Sequence, residues 1–482
     1  MAIELGSSKV TGIAGQKNLD GSINVLAVVK EESSTFIRKG VAYNIDKTAS
    51  CISNIVKKLT NLLKTEITQV YVGVGGQSIR SVKNVITKEF PVGTKVTQEM
   101  VIDLMDANSN MKYPDQEILD IAIQEYKVDA QYQTDPVGIQ CSRLEGNFLN
   151  ILQRKTFYKN LNKCFETAGV NVAEMYIAPI ALADSILTEA EKRSGCALVD
   201  IGADTTTVSV YSKNILRHLA VIPLGSSNIT KDIASLQMEE SDAEKMKLEY
   251  GSAYTDIADI DNEKTIAIDA ERKISNQKFI DIVEGRVREI IENVWRQIPE
   301  GFTDKDSKLL GGIILTGGGS NMKNIERAFT EYTKVEKIRT AKFVTQTIAS
   351  VSPIINAKDG RMNTVLGLLI KGDCNCAGEE IDPNNLFNNS NYSQQAGVNN
   401  TANAGTRYEA GKKPGRVPTE DEKRLLEEEA LRKKEEEERI ARQKEQEEAE
   451  RAAQQRKENS PFNKSLKWLK NMAKKLTEAD EE

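Results

Sequence analysis

The chain has 482 residues, of which 39% are hydrophobic and 28% charged, and its formal net charge is −6. This length predicts two or more domains with sizeable apolar cores, and the acidic balance argues against nucleic-acid binding, which needs a basic face. No apolar run approaches the roughly 18 to 20 residues of a membrane-spanning helix, and the N-terminus lacks a signal-peptide pattern, so we expect a cytoplasmic protein.

Histidine and cysteine are too scarce to support several classes of site. The single histidine, His218, lies beside apolar Leu219 and Ala220, and we interpret it as structural. The six cysteines are scattered, and Cys374 and Cys376 form the one close pair, whereas a zinc site needs two such pairs or histidines. These counts exclude a Ser-His-Asp hydrolase and argue against histidine-based metal chemistry.

Two glycine-containing hairpins repeat within residues 1–372, where strand-like and helix-period segments alternate as in a globular α/β body. Residues 2–15 (AIELGSSKVTGIAG) combine an apolar strand, a Gly-Ser-Ser turn and a second strand, and residues 197–211 (ALVDIGADTTTVSVY) repeat this layout. Small residues in such turns leave backbone N–H groups and hydroxyls open to a phosphate. Each turn alone is a weak signal. Together they predict a duplication whose hairpins face each other across a cleft and hold one polyphosphate with magnesium.

A third motif follows at residues 313–329 (IILTGGGSNMKNIERAF). A strand runs into Gly317, Gly318 and Gly319, and Ser320 and Asn321 are then predicted to open a helix. A helix N-terminus after a glycine-rich turn suits a phosphate or an adenosine.

The order of hairpin, hairpin and TGGGS resembles the actin–DnaK–sugar kinase superfamily, and within it the chain is similar to the FtsA family of bacterial division proteins. The resemblance covers about residues 1–372. It is carried by residues 3–15, 72–81 (VGVGGQSIRS), 199–211, 224–253, 314–322 and 364–372 (TVLGLLIKG). It implies an actin-like, ribonuclease H-like duplicated ATPase fold of two lobes that binds ATP and Mg²⁺.

The resemblance also implies domain bounds and site residues. Lobe 1 comprises residues 1–76 and 156–192, an FtsA-type inserted subdomain comprises 77–155, and lobe 2 comprises 193–372. The implied nucleotide-binding residues are Gly6, Ser7, Ser8, Lys9, Asp200, Gly202, Thr205, Thr206, Gly225, Ser226, Glu244, Lys247, Gly317, Gly318, Gly319, Ser320 and Asn321. Glu4 and Asp200 are the implied magnesium residues, acting through water. Glu244 and Lys247 share a helix face, so an exposed ion pair is the alternative for these two.

Two departures from the family pattern bear on chemistry. Family members usually have Asp where this chain has Glu4, and the longer arm alters the geometry toward magnesium. Residues 176–187 (YIAPIALADSIL) match a helix that presents a polar residue to the attacking water in actin and DnaK, but Ile177, Pro179 and Ile180 dominate here. We therefore expect at most slow hydrolysis, with ATP acting as a structural ligand. No catalytic residue is assigned.

Beyond residue 372 the composition changes twice. Residues 373–418 are rich in Asn, Gly and Ser, and we predict a disordered linker because they offer little apolar surface to bury. Residues 419–459 consist mainly of Glu, Lys, Arg, Gln and Ala, which predicts a charged helical spacer. A dimerising coiled coil is the alternative, although apolar seam positions are nearly absent after Leu431.

Residues 460–477 predict an amphipathic membrane-targeting helix, with Ser460 as N-cap and Pro461 at the first position. At helical spacing the apolar residues share one face and the lysines take the opposite side, a pattern typical of interfacial membrane anchors. The predicted membrane-binding residues are Phe462, Leu466, Lys467, Trp468, Leu469, Lys470, Met472 and Leu476. The alternative is a helix that docks on the chain's own body or in a partner's groove.

The resemblance implies a cell-division protein that polymerises like actin and tethers FtsZ filaments at the division site, and the tail predicts peripheral binding to the cytoplasmic face of the cell membrane. The resemblance alone supplies its partners, which are FtsZ, further copies of itself and, through the inserted subdomain, other division proteins; the tail adds anionic lipids, and no nucleic acid is expected. The alternatives are a sugar-kinase-type phosphotransferase on the same core, a pilus-assembly actin-like ATPase and a DnaK-type chaperone.

Overall fold

The computed structural model describes residues 1–261, 263–302, 309–377 and 413–420, and then positions 422–425, 428, 431, 432, 439 and 442. Contacts divide the chain into two units, Met1–Pro418 and Thr419–Glu482, and each is described by itself.

The first unit is built from the following strands and helices. The strands are β1 (Ala2–Leu5), β2 (Lys9–Lys17), β3 (Ile23–Glu32), β4 (Ile37–Arg38), β5 (Val41–Ala42), β6 (Gln69–Val74), β7 (Arg80–Lys95), β8 (Gln116–Val128), β9 (Gln131–Gln133), β10 (Gln140–Arg154), β11 (Asn171–Ile177), β12 (Cys196–Ile201), β13 (Thr206–Ser212), β14 (Ile215–Ile222), β15 (Thr265–Ala267), β16 (Lys273–Ser275), β17 (Gly312–Thr316), β18 (Ile338–Thr340), β19 (Ile348–Ser350) and β20 (Arg416–Val417). The α-helices are α1 (Ile45–Leu63), α2 (Gln98–Ser109), α3 (Lys155–Ala168), α4 (Ala178–Ile186), α5 (Glu189–Ser194), α6 (Ser226–Ala234), α7 (Glu240–Tyr250), α8 (Asn276–Gln297), α9 (Ile325–Thr333), α10 (Pro353–Asn356) and α11 (Asn363–Lys371).

The first sheet has the order β19-β3-β2-β1-β6-β11-β20. β1, β2 and β3 form an antiparallel meander, and β6 pairs in parallel with both β1 and β11. Helix α1 packs on β2, β3 and α3, while α11 packs on β1, β2 and α4. The buried residues of these elements form one continuous apolar core.

The second sheet has the order β18-β17-β12-β13-β14-β7-β10-β8-β9. Its first five strands repeat the arrangement of the first sheet, because β12, β13 and β14 form an antiparallel meander and β17 pairs in parallel with β12. Strands β7 to β10 and helix α2 belong to the inserted subdomain, which has a small apolar core of its own. In the sheet β7 pairs with β14 through Arg80 and Ala220, and side-chain bonds such as Gln124 Nε2 to Leu216 O at 2.9 Å add to this junction. The predicted α/β class with an inserted subdomain is confirmed.

The end of the predicted second lobe returns to the first sheet. Strand β19 pairs with β3, and Val365, Leu366, Leu368 and Leu369 of α11 are buried in the first core. The lobe 2 bounds of 193–372 are therefore wrong for about residues 341–371. The reason is that an apolar helix face shows only that a helix is buried, and not which sheet covers it.

The predicted linker is ordered at both described ends. Residues 373–377 lie against β6, where Thr68 N–H donates to Cys376 O at 3.0 Å, and β20 adds a strand beside β11. The linker prediction is therefore wrong for residues 413–418, whose Val417 is fully buried. The remainder, residues 378–412, lies outside the described residues.

The second unit begins with a helix N-cap. Glu422 N–H donates to Thr419 Oγ1 at 3.3 Å and Thr419 N–H donates to Glu422 Oε2 at 3.0 Å, which is a capping box. Every described position from 420 to 442 is helical, in agreement with the predicted charged helix. The rest of residues 419–459 and the whole predicted amphipathic helix at 460–477 lie outside the described residues. Within the described part, none of the helices combines the length and apolarity needed to cross a membrane.

Candidate nucleotide-binding site

The two glycine hairpins have the same geometry. Gly6 N–H donates to Lys9 O at 3.1 Å in the turn between β1 and β2, and Gly202 N–H donates to Thr205 O at 2.8 Å in the turn between β12 and β13. A Cβ added to Gly6 or Gly202 would lie 2.7 or 2.9 Å from the same carbonyl oxygens, so both turns require glycine. The duplication inferred from sequence is therefore present in three dimensions.

The hydroxyls of the two turns differ in exposure. Ser8 is exposed and Thr205 is partly exposed, whereas Ser7 and Thr206 are buried. Ser7 Oγ accepts from Gly40 N–H at 2.8 Å, and Thr206 Oγ1 donates to Leu224 O at 2.8 Å. In this structure the buried pair holds neighbouring loops in place, and the exposed pair is open to a ligand.

The start of α6 rests on the second hairpin. Ser226 N–H donates to Gly202 O at 2.9 Å and Ser227 N–H donates to Ala203 O at 2.8 Å. A Cβ on Gly225 would overlap Ala203 O, so the loop can approach this closely because position 225 is glycine. The structure thereby places Gly225 and Ser226 beside Gly202, at the start of α6.

The third motif differs in detail from its prediction. Residues Gly318–Asn321 form a short 3₁₀ helix, and α9 begins only at Ile325, so the prediction that Ser320 and Asn321 open the helix is wrong. Their side chains are bonded within the protein: Ser320 Oγ donates to Gly317 O at 2.7 Å, and Asn321 Nδ2 donates to Asp359 O at 2.7 Å. These bonds fix the shape of the glycine turn.

The glycine turn closes on the second hairpin. Gly317 has φ +82°, and a Cβ there would overlap Asp200 Oδ1. Gly319 packs similarly against Ile201. The structure therefore brings three of the predicted motifs, around residues 200, 225 and 317, into one place beside the ends of β12 and β17.

Glu244 and Lys247 both lie in α7 and form an ion pair that contacts α6. Lys247 is 7% exposed, and its Nζ lies 2.6 Å from Glu244 Oε2 and 2.9 Å from Thr230 Oγ1. Lys247 Nζ also donates to Ser226 O at 3.3 Å, which links the pair to the start of α6. The expected alternative of an exposed pair is thus wrong for the lysine, while Glu244 keeps an accessible side chain (43% exposed).

Glu4 and Asp200 are partly buried acids at equivalent positions, on the first strand of each hairpin. The pKa of Glu4 is raised to about 8, chiefly by burial and then by the charge of Asp200, against smaller opposing effects of Lys30 and Thr364. Burial also raises the pKa of Asp200 to about 6. A divalent cation would favour the ionised form of both carboxylates, because its positive charge offsets their desolvation and their mutual repulsion.

The donor set suits magnesium rather than a cation that needs a protein cage. Across the described ranges, no group of three or more His, Cys, Asp or Glu side chains is placed to hold a metal ion. Magnesium commonly binds through one or two carboxylates and completes its shell with water and phosphate oxygens. The residues present therefore fit a magnesium–nucleotide complex held partly through water.

Sequence reasoning missed the loop at Lys39 and Gly40. Lys39 N–H donates to Asp204 Oδ2 at 3.3 Å, and Gly40 N–H donates to Ser7 Oγ, so this loop contacts both hairpins. Gly40 and Gly76 both have positive φ and approach so closely that a Cβ on Gly40 would lie 2.6 Å from Gly76 Cα. The Lys-Gly dipeptide at 39–40 was the one available signal, and it does not reveal a contact with residue 204.

The polar side chains of helix α4 are bonded within the protein, where Asp184 pairs with Lys192 and Lys371 at 2.7 and 2.6 Å. Its residues Pro179, Ile180, Ala181 and Leu182 are buried, and Ser185 Oγ donates to Leu182 O at 2.7 Å within the helix. The expectation of slow hydrolysis remains a prediction.

Comparison with known proteins places the chain in a family. The pattern of the family described as Cell division protein FtsA matches residues 197–359, and that of the SHS2 domain inserted in FtsA matches residues 76–152. The Cell division protein FtsA of Porphyromonas gingivalis is 32% identical over 67% of this chain and 68% of its own length. That of Neisseria meningitidis is 30% identical over 80% of this chain and 92% of its own length.

A solved PilM–PilN type IV pilus biogenesis complex has a chain that is 15% identical, with a TM-score of 0.53, over 77% of this chain and 97% of its own. This likeness concerns the fold alone, which is the actin-like two-lobed α/β fold with an SHS2 insertion. With relatives at this identity and coverage, the chain belongs to the FtsA family of cell division proteins.

Proposed function

We propose that this division protein binds Mg-ATP between its two hairpins. The observation that carries the proposal is the pair of partly buried acids with raised pKa values, Glu4 and Asp200, at equivalent positions of duplicated glycine turns. Open backbone turns suit phosphates, and two desolvated carboxylates suit a magnesium ion. Bound nucleotide would thereby join the two lobes and favour a closed body.

The nucleotide acts as a structural ligand in this proposal. Asp184 pairs with Lys192 and Lys371, and Ser185 donates to Leu182 O, so these two polar side chains of α4 are engaged within the protein, which supports slow hydrolysis. With slow hydrolysis the globular part, residues 1–372, would stay bound to ATP and would polymerise as actin-like subunits do. Self-association is supported by family membership and by the fold.

We further propose that the tail tethers FtsZ filaments to the inner face of the cytoplasmic membrane. The support is the segregation of Leu466, Leu469 and Met472 from Lys467 and Lys470 at helical spacing in the sequence. FtsZ and later division proteins as partners are supported by family membership, with the inserted subdomain as the proposed contact for the latter.

A single such helix binds a bilayer weakly, because ordering the segment offsets part of the roughly 1.5 to 3 kcal/mol per buried large side chain. Polymerisation of the globular parts would present many tail helices to one membrane and convert weak binding into avid binding. ATP binding at one end of the molecule would then strengthen membrane binding at the other.

Co-sedimentation with anionic liposomes, with and without Mg-ATP, tests the proposal. We expect the intact chain to pellet with liposomes, more strongly with ATP, and we expect chains ending at Asn459 or carrying Trp468→Glu to remain in the supernatant. Trp468→Phe is the matched control, because it keeps an aromatic ring and should still pellet.

Equal pelleting of all four proteins would contradict membrane anchoring by this helix. Pelleting that is independent of ATP, together with undetectable Mg-ATP binding by calorimetry, would contradict the nucleotide part alone.

A further inference from the structure

The edge of the first sheet is occupied by a short piece of the chain's own tail. Residues 413–418 (KPGRVP), here called the strap, add β20 antiparallel to β11, with Val417 opposite Met175 and Arg416 opposite Tyr176. Ile177 N–H donates to Gly415 O at 2.7 Å, and Tyr158 OH donates to Pro418 O. This is strand addition, the mode by which sheet edges bind extended peptides.

The strap is recognised by charge as well as by backbone. Lys413 Nζ lies 2.9 Å from Glu174 Oε2, and Arg416 Nε lies 3.0 Å from Glu174 Oε1. Glu174 is only 9% exposed, so the strap places two cations on a largely buried carboxylate. Asp120 of the inserted subdomain, also 9% exposed, accepts from Gly415 N–H at 3.0 Å. Removing both cations from a buried carboxylate is strongly unfavourable.

The strap's own sequence preforms its shape. Arg416 N–H donates to Lys413 O at 3.0 Å across Pro414 and Gly415, and Gly415 has φ +77°. Proline followed by glycine with positive φ is the signature of a type II turn. A Cβ on Gly415 would also lie 3.0 Å from Ile180 Cγ2, so this position needs glycine for both conformation and space.

The strap lies next to residues 373 and 374, which are bound to Tyr71 of β6. The first residues of the predicted linker are fixed independently, because Tyr71 OH accepts from the N–H groups of Asp373 and Cys374 at 2.9 and 2.6 Å. Lys413 Nζ then lies 2.8 Å from Asp373 Oδ1. Residues 373 and 413 therefore lie side by side in the first unit.

We propose that the edge of β11, with Glu174 and Asp120, is a binding site for an extended basic peptide of the Lys-Pro-Gly-Arg-Val-Pro type. Its occupant is the strap of the same chain. The site does not depend on the proposed nucleotide or membrane functions.

A labelled peptide of residues 411–420 (GKKPGRVPTE) tests this by fluorescence anisotropy against full-length protein. The strap-broken variant Gly415→Val with Arg416→Glu should bind it at least about tenfold more tightly than the unchanged chain, whose site is filled by a tethered competitor at millimolar effective concentration. A peptide with Arg416→Glu is the matched control and should bind at least about tenfold more weakly, since it reverses one charge facing Glu174.

Hydrogen exchange on the full chain provides a second measurement that needs no peptide. Gly415→Val should accelerate exchange in residues 171–177 at least about tenfold, because Ile177 N–H loses its acceptor, while β6 should stay protected. Unchanged exchange in residues 171–177, or no peptide binding by the strap-broken chain, would overturn the proposal. Exchange that slows with rising protein concentration would also overturn it, by showing that the strap comes from a second copy.

Discussion

Replacing Glu4 by glutamine should stabilise the nucleotide-free protein at pH 8. The pKa of Glu4 is raised from its ordinary value of 4.5 to about 8 by burial and by Asp200. Because the folded state holds this proton more tightly than the unfolded chain, the associated stability is fully present below about pH 4.5. It is lost as the pH rises toward 8. Glutamine has nearly the same shape and does not ionise, so Glu4→Gln avoids this loss.

The size of the effect follows from the shift in pKa. A rise from 4.5 to about 8 corresponds to at most about 5 kcal/mol of unfolding free energy. Asp200 also has a raised pKa, and the two acids share the penalty of burial, so we expect Glu4→Gln to gain about 2 to 3 kcal/mol at pH 8. At pH 4.5 the gain should be small, because Glu4 is then largely protonated.

The assay is urea unfolding of the full-length protein in EDTA, without nucleotide, at pH values from 4.5 to 8. Glu32→Gln is the matched control, since the Glu32 side chain is 75% exposed and forms a long ion pair with Lys9 at 3.5 Å. It should change the unfolding free energy by less than about 0.5 kcal/mol at every pH. A gain from Glu4→Gln that is equal at both ends of the range, or a loss at pH 8, would refute the argument from burial.

Three further predictions concern the nucleotide site. Gly225→Ala should weaken Mg-ATP binding, measured by calorimetry, by at least about tenfold, because the new Cβ displaces the loop from Ala203. The control Gly285→Ala should leave binding unchanged, because its Cβ meets no atom within 4 Å. Equal effects of the two substitutions would contradict this prediction. Lys247→Met should lower the unfolding free energy by about 1 to 3 kcal/mol by removing the partner of Glu244 and the donor to Thr230; an unchanged urea midpoint would count against it. Single-turnover experiments should show ATP released intact more often than hydrolysed, and a rapid burst of phosphate would show that a water-orienting group exists.

Local sequence patterns predicted those parts of the site that are made within a few residues. Both hairpins were found because the turns at Gly6 and Gly202 impose small residues on a short stretch, and such a signal is visible without knowing the fold. The prediction failed at Ser320 and Asn321, which were expected to open a helix. Hydrogen bonds to Gly317 and Asp359 draw them into a 3₁₀ turn, and Asp359 is 38 residues away from Asn321.

The sequence by itself determined the α/β class, the duplicated hairpins and the change of character after residue 372, because each depends on local periodicity or composition. The inserted subdomain was implied by the family resemblance. Tertiary structure alone decided that α11 returns to the first sheet and that the strap closes its edge beside Glu174. It also decided that Lys39 meets Asp204. These are pairings between distant segments, and an apolar face or a charged side chain does not carry the identity of its partner. That identity is fixed only when the whole chain packs.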